Sequence, residues 1–165
     1  MSEPETAAPA PQGFVPVPPE FDDQAAAMLA DCASLHGYPD GGSMLAALRA
    51  DESAEINGVT LNDQLVVLIV TRRVHLMNEV MALVVIPGFR GHGIGELALA
   101  DAIQRAGKRP LVVESSEALR PYFLKRGFKM VGKRKGPDGE LRYRLGAHAP
   151  RKQPEPADPP KETTP

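Results

Sequence analysis

Two unbroken apolar runs occupy the middle of the chain, Leu65-Val66-Val67-Leu68-Ile69-Val70 and Val80-Met81-Ala82-Leu83-Val84-Val85-Ile86. Both are short and rich in branched residues, so each predicts a strand buried on both faces. The polar stretch from Arg72 to Asn78 reads as the turn region between them. Upstream, apolar positions recur at helical spacing. Asp22 or Asp23 caps a helix through Ala25, Met28, Leu29 and Cys32, and Gly37 ends it. Ser43 caps a second helix from Met44 to Ala50.

Downstream the period alternates. Pro87 to Gly93 reads as a loop, followed by a helix from Ile94 to Ala106 with Leu97, Ala98 and Ile103 on one face and Gly107 as its stop. Leu111 to Val113 is a short strand. Glu117 to Arg126 is a helix, with Pro121 tolerated only in its first turn. Phe128 to Val131 and Leu141 to Leu145 are strands joined by the turn Gly136-Pro137-Asp138-Gly139. This alternation predicts an α/β fold with at least one parallel crossover.

Prolines mark the ends. Residues 1–19 hold six of the 17 prolines and residues 147–165 hold six more. Such segments lack the apolar residues that offset ordering entropy, so both ends read as disordered tails around a domain spanning residues 20–146. Phe14-Val15-Pro16-Val17 retains the makings of a short edge strand.

The chain's 165 residues suit one domain. Cys32 is the sole cysteine, which rules out an intramolecular disulfide and a cysteine metal cluster. No basic-then-apolar leader opens the chain, and the apolar runs are too short to span a bilayer, so a cytoplasmic protein with no membrane partner is expected. The net charge of -2 hides an asymmetry. From Met1 to Gln64 eleven acidic residues face one basic residue, Arg49, whereas from Arg105 to Gly146 twelve basic residues face four acidic ones. The second half suits a polyanionic ligand and the first a cationic one; solvated faces are the plainer alternative.

The candidate chemistry lies in Arg90-Gly91-His92-Gly93-Ile94-Gly95, between a buried strand and a helix. Glycines let the backbone approach a ligand and take positive φ. Unpaired amides and the helix dipole favour a phosphate there, and Arg90 adds a cation. The loop lacks the Gly-Lys-Ser/Thr ending of a Walker loop and the spacing of a dinucleotide fingerprint. A phosphate binder of some other fold stays open on these residues alone. His75 and Glu79, four residues apart on a strand or turn, do not converge and have no third ligand, so no metal is expected. Lys133-Arg134-Lys135 has no interleaved aromatics, which argues against nucleic acid.

The segment from Val85 to Gly95 resembles the acyl-CoA-binding motif of the GNAT acetyltransferases, a strand leading through R/Q-x-x-G-x-G/A into a helix. Ala118 to Phe128, a helix ending in Gly127-Phe128, resembles that family's second motif. The resemblance covers residues 79–131 well and residues 21–72 weakly. It implies the GNAT α/β fold, a mixed, mostly antiparallel sheet splayed at its centre and flanked by helices. It implies acetyl-CoA as acyl donor, no metal, and an N-acyltransferase acting by direct attack of a primary amine. The amides of Arg90, Gly91, His92, Gly93, Ile94 and Gly95 would hold the pyrophosphate. Val84 and Val85 would pair with the pantetheine arm, with Ser115 or Ser116 nearby, and Phe123 would wall the acyl group.

By the same resemblance Glu79 is the base that takes a proton from the amine, and Tyr122 the acid for the departing thiolate. Tyr122 stands one residue before the usual Tyr position, which is Phe123 here. The acidic first half, where the family binds its acceptor, suits a cationic amine. A homodimer is compatible with the family. The alternative is a catalytically weak GNAT-fold protein that binds acyl-CoA or a partner protein.

Overall fold

The computed structural model describes residues 14–136 and 139–149. Among them one sheet runs in the order β1-β2-β3-β4-β5-β7-β6. Its strands are β1 (Val15–Pro16), β2 (Ala54–Leu61), β3 (Gln64–Val74), β4 (Met77–Val85), β5 (Leu111–Ser115), β6 (Lys129–Lys135) and β7 (Leu141–Ala147). The helices are α1 (Asp22–Ala33), α2 (Gly41–Ala50), α3 (Ile94–Ala106) and α4 (Arg120–Leu124). All neighbours pair antiparallel except β4 and β5, which are joined through the α3 crossover.

The apolar run of β3 is buried throughout, from Leu65 to Thr71. Its alternation divides the core between two layers. Leu68 and Val70 pack with Leu29, Met44 and Leu48 of α1 and α2. Val67 and Ile69 pack with Ala98, Leu99 and Ala102 of α3 and with Leu111, Phe128 and Leu145.

β4 departs from the reading as a strand buried on both faces. Val80, Leu83, Val84 and Val85 are only half-buried. The cause is topological. β4 pairs with β5 only at Asn78↔Leu111 and Glu79↔Val112, whereas β5 pairs along its whole length with β7. Past Glu79 the sheet splits. A bulge adds to the split: Val70 faces Ala82 and Thr71 faces Val80, leaving Met81 as the extra residue.

Other boundaries shift for local reasons. α1 starts at Asp22 itself, so both aspartates lie in its first turn, where the dipole favours them. The cap of α2 is Asp40, not Ser43. The Asp40 carboxylate accepts the Ser43 N–H at 2.7 Å, which holds its pKa below the ordinary value. The polar stretch after β3 is mostly strand, with only His75 and Leu76 between β3 and β4. α4 is shorter than Glu117 to Arg126, although Pro121 does lie in its first turn. β5, β6 and β7 run past the spans read from the sequence. The fold extends beyond residues 20–146: Phe14 and Val17 are buried, and β7 continues to Ala147. The tail readings for residues 1–13 and 150–165 lie outside the described residues.

β2 has no clean alternation because Asn57 and Gly58 interrupt it. Both positions are structural. Asn57 is buried, and a Cβ on Gly58 would lie 2.4 Å from the Val67 carbonyl. Gly41 is tighter: its Cβ would stand 1.9 Å from the Ala26 carbonyl oxygen, so α1 and α2 meet backbone to backbone. Gly41→Ala is expected to destabilise the domain by about 3 kcal/mol, the upper end of overpacking penalties. Gly42→Ala, whose Cβ meets only Asp40 Oδ1 at 3.5 Å, is the matched control. Thermal unfolding should show a midpoint lower by roughly 10 °C for the first and little change for the second.

Candidate active site

At the far end of β4, Pro87 to Phe89 form one 3-10 turn and lead into the glycine loop. Gly91 (φ +83°) and Gly93 (φ +78°) take backbone conformations that other residues adopt only with strain. A Cβ at either would meet open space, so protein packing does not demand glycine there. Gly93 is the N-cap of α3 and brings no capping side chain. The first amides of α3 therefore lack intrahelical acceptors and a capping oxygen. Arg90 is fixed by donating Nε–H to the Val85 carbonyl at 2.9 Å.

These groups line a cavity of about 300 Å³ with Tyr122 and Arg126. Arg126 donates to the Tyr122 carbonyl (2.7 Å) and pairs with Glu96, and its guanidinium lies over the Tyr122 ring at 3.4 Å. Its Nε is shut from water without a partner. Open positions at two glycines, uncapped amides and an unmet guanidinium donor fit an anionic group such as a pyrophosphate.

The split between β4 and β5 opens a second cavity of about 210 Å³. Apolar Met81, Leu83, Leu99 and Phe123 line it with Cys32, His36, Glu79 and Glu114. Burial, then the nearby Asp31 charge, raise the Cys32 pKa, so its thiol stays neutral. A third cavity of about 450 Å³ adjoins Glu79 and holds Arg72, Arg134 and Arg144. Glu79 is 16% exposed and lies 3.8 Å from Arg72 Nη2. Glu114 grips Arg134 in a two-pronged pair, with Nη2–Oε2 at 2.9 Å. That bond and the Glu114 charge, with Glu79 acting at longer range, raise the Arg134 pKa.

The predicted site residues thus separate into two groups. Val85, Arg90, Gly91, Gly93, Ile94 and Gly95 gather around the first cavity. Val84 lies beside Val85 on the stretch of β4 that pairs with β3 but not with β5, and His92 is exposed. Glu79 and Phe123 share the second cavity. Tyr122 does not join them. Its hydroxyl would be 3.1 Å from a Cβ on Gly95, so it faces the loop. The one-residue offset turns Tyr122 by about 100° from Phe123, and Phe123 takes the place beside Glu79. Ser115 is also misplaced by the sequence reading: it is fully buried, and its hydroxyl donates to the Ser116 carbonyl at 2.8 Å.

Sequence reasoning missed His36, Glu114, Arg126 and Arg144. His36 follows α1 and sends Nε2 to within 2.6 Å of the Met81 carbonyl, at the bulge. The carbonyl only accepts, so Nε2 carries the hydrogen of this bond. No local pattern signals such a contact across 45 residues. Arg126 lay within the second motif, and a cation at that helix end was the available clue. Among the described residues, no three His, Cys, Asp or Glu side chains are grouped to hold a metal. No helix among them is long and apolar enough to cross a membrane.

A family model described as an acetyltransferase (GNAT) domain matches residues 19–141. The chain belongs to the GNAT acetyltransferase family, and the mixed sheet split at β4 and β5 is that family's fold. Solved structures with this fold include an aminoglycoside 6'-N-acetyltransferase complexed with coenzyme A, at 16% identity and TM-score 0.66, covering 84% of this chain and 97% of that one. The ribosomal-protein-S18-alanine N-acetyltransferase from Escherichia coli has 17% identity and TM-score 0.65, covering 84% and 96%. A GNAT family acetyltransferase from Elizabethkingia anophelis with acetyl-CoA bound has 18% identity and TM-score 0.54, covering 64% and 82%. Curated protein sequences include no match to the chain.

Proposed function

We propose that this protein transfers an acetyl group from acetyl-CoA to a primary amine by direct attack. The observation that carries the reading is the layout of β4: Glu79 closes its paired part and the glycine loop follows its open end. Six residues separate Glu79 from Val85, roughly 20 Å of strand. An extended pantetheine arm would lie along that open edge and take the backbone groups of Val84 and Val85 as a strand partner would. The amides from Gly91 to Gly95 would hold the pyrophosphate, helped by Arg126. Phe123, Met81 and Leu83 would enclose the acetyl group in apolar surface.

The thioester supplies the acyl group and a thiolate that leaves readily. The chain's own residues manage the amine. It arrives as an ammonium, and it must lose a proton before it can attack. Glu79 is the base, directly or through one water. Tyr122 serves the phosphate end rather than the leaving sulfur, so the thiolate departs without a tyrosine acid. Acyl-CoA donors are intracellular, which supports a cytoplasmic setting.

The test is calorimetric titration of acetyl-CoA followed by release of CoA thiol across a panel of primary amines. Micromolar binding and amine-dependent release are expected. Binding without release from any amine would instead favour an acyl-CoA-binding protein. Absence of binding would overturn the reading altogether.

A further inference from the structure

We propose that the amine acceptor also carries a carboxylate, held by Arg144 and Arg72 in the cavity beside Glu79. This rests on the acetyl-transfer reading and adds the class of substrate. Two of the three arginines in that cavity already face carboxylates, Arg134 with Glu114 and Arg72 loosely with Glu79. Arg144, on β7, points Nη2 at the Met77 sulfur at 3.6 Å. A thioether is a weak acceptor for a guanidinium with five donors. Among the described residues no carboxylate pairs with Arg144.

Arg72 adds a second cation to the same cavity, and its carboxylate contact there, to Glu79, is long at 3.8 Å. The cavity therefore holds one more positive charge than negative, three arginines against Glu79 and Glu114. Among the described residues, no acidic residue from the first half of the chain lines it to cancel that surplus. Asp22 is occupied with Arg49, Asp40 caps α2, and Asp51 binds the Ser53 backbone and hydroxyl, its charge reaching Arg72 only as a weaker, longer-range effect.

The consequence separates acceptor classes. A single ammonium finds Glu79 and Glu114. The second ammonium of a polyamine would meet Arg144 and be repelled. A carboxylate meets a planar guanidinium fork suited to two parallel hydrogen bonds. The expected acceptor is therefore amino-acid-like, with its amine toward Glu79 and its carboxylate toward Arg144.

The experiment compares CoA release with amino acids against their own primary amides, diamines and aminoalkylphosphonates of matched length. The acids are expected to exceed their amides in kcat/KM by about tenfold or more, through KM. Arg144→Gln should bring that ratio to about one, and Arg144→Lys should retain part of it. Acetyl-CoA titration of each variant reports that it has folded. Amides or diamines that match the acids in the parent, or a ratio that survives Arg144→Gln, would overturn the proposal. A clear preference for phosphonates would replace the carboxylate with a phosphate-class anion. If no amine releases CoA, the acetyl-transfer reading fails separately. The acid and amide are then titrated into the CoA-loaded protein, where equal affinities would sink the carboxylate assignment and tenfold tighter acid binding would uphold it.

Discussion

Glu79→Gln is expected to lower kcat for acetyl transfer by about 10²- to 10⁴-fold, the usual range for loss of a positioned base. The substitution keeps the shape of the side chain and removes its ability to take a proton. Acetyl-CoA affinity should hardly change, because Glu79 lines the two cavities beside the split and not the one at the glycine loop. Stability should also hold. The Arg72 contact is long, at 3.8 Å, and the Arg72 side chain is 34% exposed, so its released charge can rehydrate.

The pH dependence makes the role specific. A lysine-type amine titrates near pH 10.4, so close to neutrality only about one molecule in a thousand is ready to attack. As pH rises, solvent takes over the deprotonation, and the deficit of the variant should shrink. A merely structural defect would not recover in this way. Stopped-flow or thiol-release kinetics from pH 7 to 10 measure it directly. An unchanged kcat would move the base elsewhere, and His36 is then the candidate, since its Nδ1 is free of the Met81 carbonyl bond.

The glycine loop and the strands around it were legible because their chemistry is local. Gly91, Gly93 and Gly95 occur within five residues of chain, and the α3 boundaries from Ile94 to Ala106 follow directly from apolar period and a terminal glycine. The offset of Tyr122 from the usual position is visible in sequence and amounts to a turn of about 100° on a helix; the Tyr122 hydroxyl lies toward Gly95, and Phe123 lines the cavity that Glu79 also lines.

What escaped the sequence depends on contacts between distant elements. Arg144 and Glu114 enter the cavity beside Glu79 because β5 and β7 pair at Glu114↔Arg144. His36 enters because α1 packs beneath a bulge that no residue pattern announces. Ser115 misled for the converse reason. Its place beside the motif in sequence suggested a ligand contact, but the alternation of β5 turns it inward. Of the first-half acids, Asp22 pairs with Arg49, Asp40 caps α2 and Asp51 braces the turn at Ser53, whereas the cavity beside Glu79 is lined by three arginines with Glu79 and Glu114.

Gly93→Glu is expected to abolish acetyl-CoA binding, a loss of about 100-fold or more in affinity. Two separable effects combine. Any side chain at φ +78° is strained, at roughly 1–2 kcal/mol for an L-residue in the left-handed region. That strain belongs to the free protein and will appear as a lower unfolding midpoint. The second effect belongs to the ligand. Gly93 lines the loop cavity, and its Cβ position is open, so a glutamate there occupies ligand space and sets a carboxylate against the pyrophosphate. Gly93→Asn keeps the added bulk in the ligand space while removing the charge and most of the strain, because Asn tolerates the left-handed region. Gly88→Glu isolates charge from position: Gly88 has room for a Cβ but does not line the cavity. Calorimetry should rank affinities as parent near Gly88→Glu, then Gly93→Asn, then Gly93→Glu with no measurable heat. If Gly93→Glu binds acetyl-CoA as tightly as the parent, the loop does not hold the phosphates. Arg126 and the amides of α3 would then need another ligand to explain their unmet donors.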